Sequence, residues 1–147
     1  MKILLAFDGS PSSDAAAMEV CRRPWPPGSE VRVITVLSPV EPNLLGGEGD
    51  QTTAFDYIIS RQEGAATKRL NAVTADVAQR TPELGVTSAL LEGRPKDAIL
   101  NEVERWGADL IVVGAHGYGV IRRFFLGSVS LAVALHAPCS VEIVRVT

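Results

Sequence analysis

Cysteine is scarce in this chain, and neither Cys21 nor Cys139 has a partner at the C-x-x-C spacing of a redox or metal motif. A chain of 147 residues buries roughly 70% of its unfolded surface on folding, so it needs no disulfide or metal to hold a core. Both cysteines are therefore expected to be reduced core or turn residues. Basic charge is not in excess either: 14 Lys and Arg face 17 Asp and Glu, a formal net charge of -3, without a long Lys/Arg run. That balance argues against nucleic acid as a partner. No apolar stretch approaches the ~20 residues of a membrane span, and Ile3 to Phe7 meets Asp8 too soon to serve as a signal sequence. No membrane association is expected, and a cytoplasmic location is the default. Two common nucleotide motifs are missing as well, because the chain has no Gly-Lys-Ser/Thr and no G-x-G-x-x-G.

What is present is an alternation of short β-branched runs with helical patterns, in a chain that is 46% hydrophobic and 21% charged. Strands are expected at Lys2 to Phe7, from Val31 to Leu37, at Val86 to Leu91, at Asp109 to Val113 and at Val141 to Val146. Between them, Ala15 to Arg22 reads as a small-residue helix stopped by Pro24, Pro26 and Pro27. Ser38 to Thr53 is rich in Pro and Gly and reads as a loop. Ala66, Leu70, Val73 and Val77 share one stripe of a helix beginning near Ala54 and ending at Thr81-Pro82. Pro95 opens a further helix with Ile99, Val103 and Trp106 on one face, and Ser128 to His136 forms the last. Strands separated by helices pair in parallel through right-handed crossovers. The expected fold is a single α/β domain over residues 1–147, an open five-stranded parallel sheet with helices on both faces.

The fourth strand runs into Gly114-Ala-His-Gly117, and nine residues later Gly127-Ser128 precedes an apolar helix. Glycines there let backbone approach a ligand, and the hydroxyl of Ser128 is placed to cap a helix whose positive end favours an anion. On glycines alone, a plain loop and a capped helix are the better explanation of the stretch. The full pattern G-x2-G-x9-G-S, however, resembles the nucleotide-binding signature of the ATP-binding branch of the universal stress protein family. Lys2 to Ser10 resembles that family's opening strand and acidic turn, Gly93-Arg-Pro95 the start of its third helix, and Leu126 to Ser130 with His136 to Ser140 its closing segment. The chain departs from the pattern at Ser140, where the family often has proline, and at Glu142 within an apolar strand.

The resemblance implies a Rossmann-like, adenine nucleotide alpha hydrolase-like sheet of order 3-2-1-4-5, in which Asp8 and Gly114 face each other across the crevice at the strand ends. It implies ATP as the ligand, with or without Mg2+, and AMP or ADP as alternatives. The residues it places around that ligand are Ala6, Asp8, Val36, Gly114, His116, Gly117, Gly127, Ser128, Val129 and Ser130. Asp8 is suited to ribose hydroxyls, the adenine amine or a metal, and is equally a turn residue or helix cap on its own. The main chain of Val36 would meet adenine. Gly114 and Gly117 would turn the chain sharply and aim N–H groups at ribose and phosphate. Gly127 to Ser130 would surround the phosphates, with the hydroxyls of Ser128 and Ser130 as added donors. His116, Arg94, Arg122 and Arg123 lie near this site in sequence or by resemblance, and read more simply as structural or solvated side chains.

Hydrolysis requires a positioned water, a base and charge stabilisation, and Asp8 is the lone placed carboxylate. The sequence thus reads as an ATP-binding regulatory or stress-response module with little or no hydrolysis. The competing reading is a nucleotide-independent dimeric interaction module. A receiver-type domain is disfavoured, since Asp8 has no acidic neighbour and Glu92-Gly93 offers no aspartyl acceptor. The resemblance also implies a homodimer through antiparallel pairing of Val141 to Val146 with its copy, where Glu142 and Arg145 would make cross-strand contacts or instead protect the edge.

Overall fold

The computed structural model of the chain describes residues 1–39, 51–117 and 126–146. In chain order the elements are β1 (Lys2–Ala6), α1 (Pro11–Arg22), β2 (Glu30–Leu37), α2 (Gln51–Arg80), β3 (Gly85–Glu92), α3 (Pro95–Trp106), β4 (Leu110–Gly114), α4 (Ser128–His136) and β5 (Ser140–Val144). The five strands form one sheet in the order β3-β2-β1-β4-β5, and every neighbouring pair is parallel. The architecture expected from the strand-helix alternation is the one found.

Both faces of the sheet are buried, because successive strand residues point to opposite sides. On one side Ile3 and Leu5 of β1 pack with Ala16 and Val20 of α1 and with Leu70 and Val77 of α2. On the other, Leu4 and Ile34 pack with Ile99 and Val103 of α3 and Val133 of α4. Burying each large aliphatic side chain contributes about 1.5–3 kcal/mol, so the central strands β1 and β4, covered on both sides, anchor the domain. The Ala66-Leu70-Val77 stripe of α2 is buried as its periodicity predicts, with exposures of 2%, 3% and 0%.

Most strand ends fall within one residue of the sequence expectation, and three boundaries differ by two or more. α1 begins at Pro11 rather than Ala15, because Ser10 caps it by accepting the N–H of Ser13 and Pro11 occupies the first turn. α2 begins at Gln51, so Gln51 to Thr53 are helical and not part of the preceding loop. β5 ends at Val144 rather than Val146. Its last rung, from Ala115 N–H to the Val144 carbonyl at 2.8 Å, lies where β4 stops at Gly114.

Candidate functional site

The crossover from β1 enters α1 on one face and the connection from β4 leads to α4 on the other. A crevice opens between diverging connections at the carboxyl ends of adjacent parallel strands, the place where open α/β sheets hold ligands. A cleft of about 420 Å³ lies there. Its walls include all ten residues expected from the sequence: Ala6, Asp8, Val36, Gly114, His116, Gly117, Gly127, Ser128, Val129 and Ser130. Sequence reasoning did not single out Phe7, Ser10, Ser13, Ile34, Ser38, Pro95, Ile99 and Val113, which line it too. Arg94 is the exposed N-cap of α3 and does not line the cleft, although the neighbouring Pro95 does. Arg122 and Arg123 lie outside the described residues.

Asp8 is set by a small hydrogen-bonded turn. Its Oδ1 accepts the Ser10 N–H at 2.9 Å, and its own N–H donates to Ser13 Oγ at 3.4 Å. Gly9 between them has φ +83, the left-handed region where a side chain would be strained. The second carboxylate oxygen, Oδ2, stands 3.0 Å from where a Cβ on Gly117 would be. The carboxylate that follows β1 thus faces the glycine loop that follows β4 directly across the cleft.

The glycines act differently from the expectation. Neither Gly114 nor Gly117 has a positive φ, so neither supplies a left-handed turn. Gly114 instead makes room for α1: a Cβ there would lie 2.6 Å from the carbonyl carbon and Cβ of Ser12. At Gly127 a Cβ would stand 3.2 Å from the Ala115 carbonyl oxygen, so this glycine lets the start of α4 cross over the exit of β4.

Capping also departs from the expectation. The N-cap of α4 is Gly127, with φ -64 and ψ 159 and no side-chain cap, and Ser128 is the first helical residue. Ser128 is exposed, so the orphan N–H groups of this first turn face the cleft without a hydroxyl laid across them. Ser130 is 2% exposed, and its Oγ lies 2.8 Å from the Ala115 carbonyl and 3.0 Å from the Gly127 carbonyl. In the ligand-free protein its proton is directed to these carbonyls and not into the cleft. The His116 carbonyl accepts from Ser10 Oγ at 3.4 Å.

Main-chain polarity defines the remaining wall. Ile34 turns its carbonyl toward β1, where it accepts the Phe7 N–H at 2.8 Å. Main-chain groups of a strand alternate sides, so the N–H and C=O of Val36 face the same way, past the end of β1 and into the cleft. Ile34, Ile99, Pro95 and Val113 supply apolar surface beside them. Among the described lining residues Asp8 is the one carboxylate, and there is no lysine or arginine. The N-termini of α1 and α4 both open on this space, so positive potential there comes from peptide dipoles.

The sequence profile of the Universal stress protein family matches residues 1–145 of the chain. The chain belongs to the universal stress protein family. A universal stress protein of Thermus aquaticus is 36% identical over 143 residues, which covers 97% of each chain. Among solved structures, the universal stress protein UspA of Lactobacillus plantarum shares the fold with a TM-score of 0.80 at 23% identity, covering 99% of this chain and 97% of that one. A family protein of Arabidopsis thaliana with AMP bound matches with a TM-score of 0.64 at 19% identity, covering 100% of this chain and 92% of that one. Other matching universal stress protein structures hold cAMP and dAMP.

Proposed function

We propose that this universal stress protein binds ATP in the cleft between β1 and β4 and serves as a nucleotide-dependent regulatory module in the stress response, with little or no hydrolysis. The observation that carries the reading is the convergence, in one cleft, of the main-chain groups of Val36, the Asp8 carboxylate and the open first turn of α4. A main-chain N–H beside a C=O is complementary to adenine, whose N1 accepts and whose N6 amine donates. Asp8 Oδ2 is placed to accept a ribose hydroxyl, and the N–H groups following Gly127 to receive phosphate oxygens. AMP bound to the Arabidopsis relative supports adenine nucleotide as the class of ligand.

The cleft's own charge bears on the form of the nucleotide. With Asp8 the one carboxylate and no lysine or arginine among the described lining residues, a free triphosphate meets repulsion that helix dipoles offset only partly. Mg2+ carried in with the phosphates would neutralise that charge, and the Asp8 carboxylate is an oxygen donor available to it in the cleft. The same inventory offers only Asp8 and His116 as titratable side chains and no lysine or arginine to stabilise a transferring phosphoryl group, which argues for slow turnover at most.

The protein is further read as a cytoplasmic homodimer formed through β5, whose outer edge carries unpaired main-chain groups. Glu142 pairs with Arg23, the C-cap of α1, within the chain, so the edge would present backbone and apolar side chains to its copy; a monomer at micromolar concentration in sedimentation refutes this part. Titration calorimetry with ATP and AMP, with and without Mg2+, tests the nucleotide reading on the wild type and Gly127→Val. Tight ATP binding by the wild type and its loss in the variant are expected. Equal affinity in the two proteins rejects the site.

A further inference from the structure

We propose that Ser130 is a positioning residue for this cleft: its hydroxyl latches the two ends of the glycine loop together and fixes the phosphate-facing first turn of α4 before any ligand arrives. The inference rests on the nucleotide reading above for what the turn binds, but the latch itself is a property of the ligand-free protein. A serine hydroxyl carries one proton. Both neighbours of Ser130 Oγ, the Ala115 carbonyl at 2.8 Å and the Gly127 carbonyl at 3.0 Å, are acceptors, so that proton stays within the protein. The Ala115 carbonyl also receives the Gly127 N–H at 2.8 Å. One oxygen at the exit of β4 therefore holds the returning chain twice, once through main chain and once through the Ser130 side chain.

Ala115 is a firm post for this latch, because its own N–H donates to the Val144 carbonyl of β5 at 2.8 Å and its side chain is fully buried. Ser130 is 2% exposed, so water does not compete for its proton. The loop leaving at Ala115 and returning at Gly127 is closed at its neck. The N–H groups that follow Gly127 thereby keep their direction into the cleft. Preorganised donors bind an anion without first being ordered, and loosening them costs affinity.

The test uses the full chain with Ser130→Ala, and Ser130→Cys as a near-isosteric weak donor expected to move in the same direction. In the ligand-free protein, amide hydrogen exchange followed by NMR should show the Gly127 N–H exchanging about tenfold faster in Ser130→Ala, the worth of one neutral hydrogen bond. Val112 in the core of β4 should be unchanged. A serine that acted only as a phosphate ligand would leave ligand-free exchange at Gly127 unaltered. In calorimetry, Ser130→Ala should lose about tenfold in affinity for Mg-ATP while adenosine, which lacks phosphates, binds within about twofold of wild type. Unaltered Gly127 exchange in both variants, or an equal loss for ATP and adenosine, overturns the proposal. If the wild type binds neither nucleotide, the adenine-nucleotide reading fails, and the exchange measurement still decides the latch.

Discussion

Gly114→Ala separates two explanations of a glycine at the end of β4. The Cβ it introduces would stand 2.6 Å from the carbonyl carbon and Cβ of Ser12 and 2.8 Å from the Ser12 carbonyl oxygen. Carbon atoms in contact sit at roughly 3.5–4.0 Å, so the first turn of α1 must retreat by about 1 Å from the sheet. That turn cannot yield cheaply. Ser12 is 6% exposed and Ser13 4%, and the neighbouring bonds from Asp8 N–H to Ser13 Oγ and from Ser10 Oγ to the His116 carbonyl cross the same seam. Overpacking of this kind costs about 1–3 kcal/mol, a large part of the ~5–15 kcal/mol that holds a typical domain folded. In urea, where small proteins lose ~1–3 kcal/mol per molar of denaturant, the midpoint should fall by about 1 M. Gly64→Ala is the control: Gly64 is exposed within α2 and a Cβ there meets nothing within 4 Å, so the helix should gain about 0.5–1 kcal/mol. If Gly114 were kept small only for a ligand, its alanine variant would retain full stability and lose binding alone. An unchanged midpoint in Gly114→Ala refutes the contact argument.

Further measurements probe the charged and thiol groups. Glu102 is 3% exposed and receives Arg32 at 2.7 Å and Arg105 at 2.9 Å; Glu102→Gln should cost about 2 kcal/mol in denaturant melts, below the ~3–5 kcal/mol of a fully buried pair because the Arg105 side chain is 69% exposed. The Arg23–Glu142 pair is half exposed on the Arg23 side, so Arg23→Ala should lower stability by less than about 1 kcal/mol and the difference should fade in high salt. Burial pushes the thiols of Cys21 and Cys139 above their ordinary range, with Asp76 adding to the rise at Cys21 and Asp109 at Cys139. The unfolded thiols therefore ionise first, and stability should fall as pH rises through and above ~8.5. Alkylation at pH 8, followed by mass spectrometry, should be slower in the folded than in the urea-unfolded protein; equal rates would count against the burial argument. Main-chain groups of Glu142 and Val144 face β4, so those of Ile143 face outward; Ile143→Pro should leave the sheet folded and abolish any dimer built on the β5 edge, as sedimentation would report.

Much of this architecture is legible in the sequence because burial on two faces leaves a blunt signature. Ile3 to Ala6 and Leu110 to Val113 are continuous apolar runs since helices cover both sides of β1 and β4, and the spacing of Ala66, Leu70 and Val77 records the single stripe that α2 buries. The cleft was legible through its glycines and the acidic turn. Their individual tasks were not. Whether Ser128 or Gly127 caps α4 depends on backbone dihedrals that either residue can adopt, and a small residue before an apolar run satisfies both readings. The neighbour that a missing Cβ makes room for, Ser12 at Gly114 or Ala115 at Gly127, is distant in sequence and marked by no local pattern. The committed proton of Ser130 depends on a carbonyl fifteen residues away. The early start of α1 was written in Ser10-Pro11, a cap and a first-turn proline, hidden among several serines that could each have served.

A cleft walled in this way carries its instructions in main chain and in side chains that are not there. Val36 turns a peptide group toward it, and Gly114 and Gly127 shape it by what they omit. Replacing residues one at a time with alanine would pass over most of it, because truncation cannot remove a backbone N–H. Apart from Asp8 and Ser130, such a site tolerates wide drift in its side chains and yields most readily to added bulk. Its mutational map is therefore expected to be inverted, quiet to deletion and loud to insertion at a few small positions.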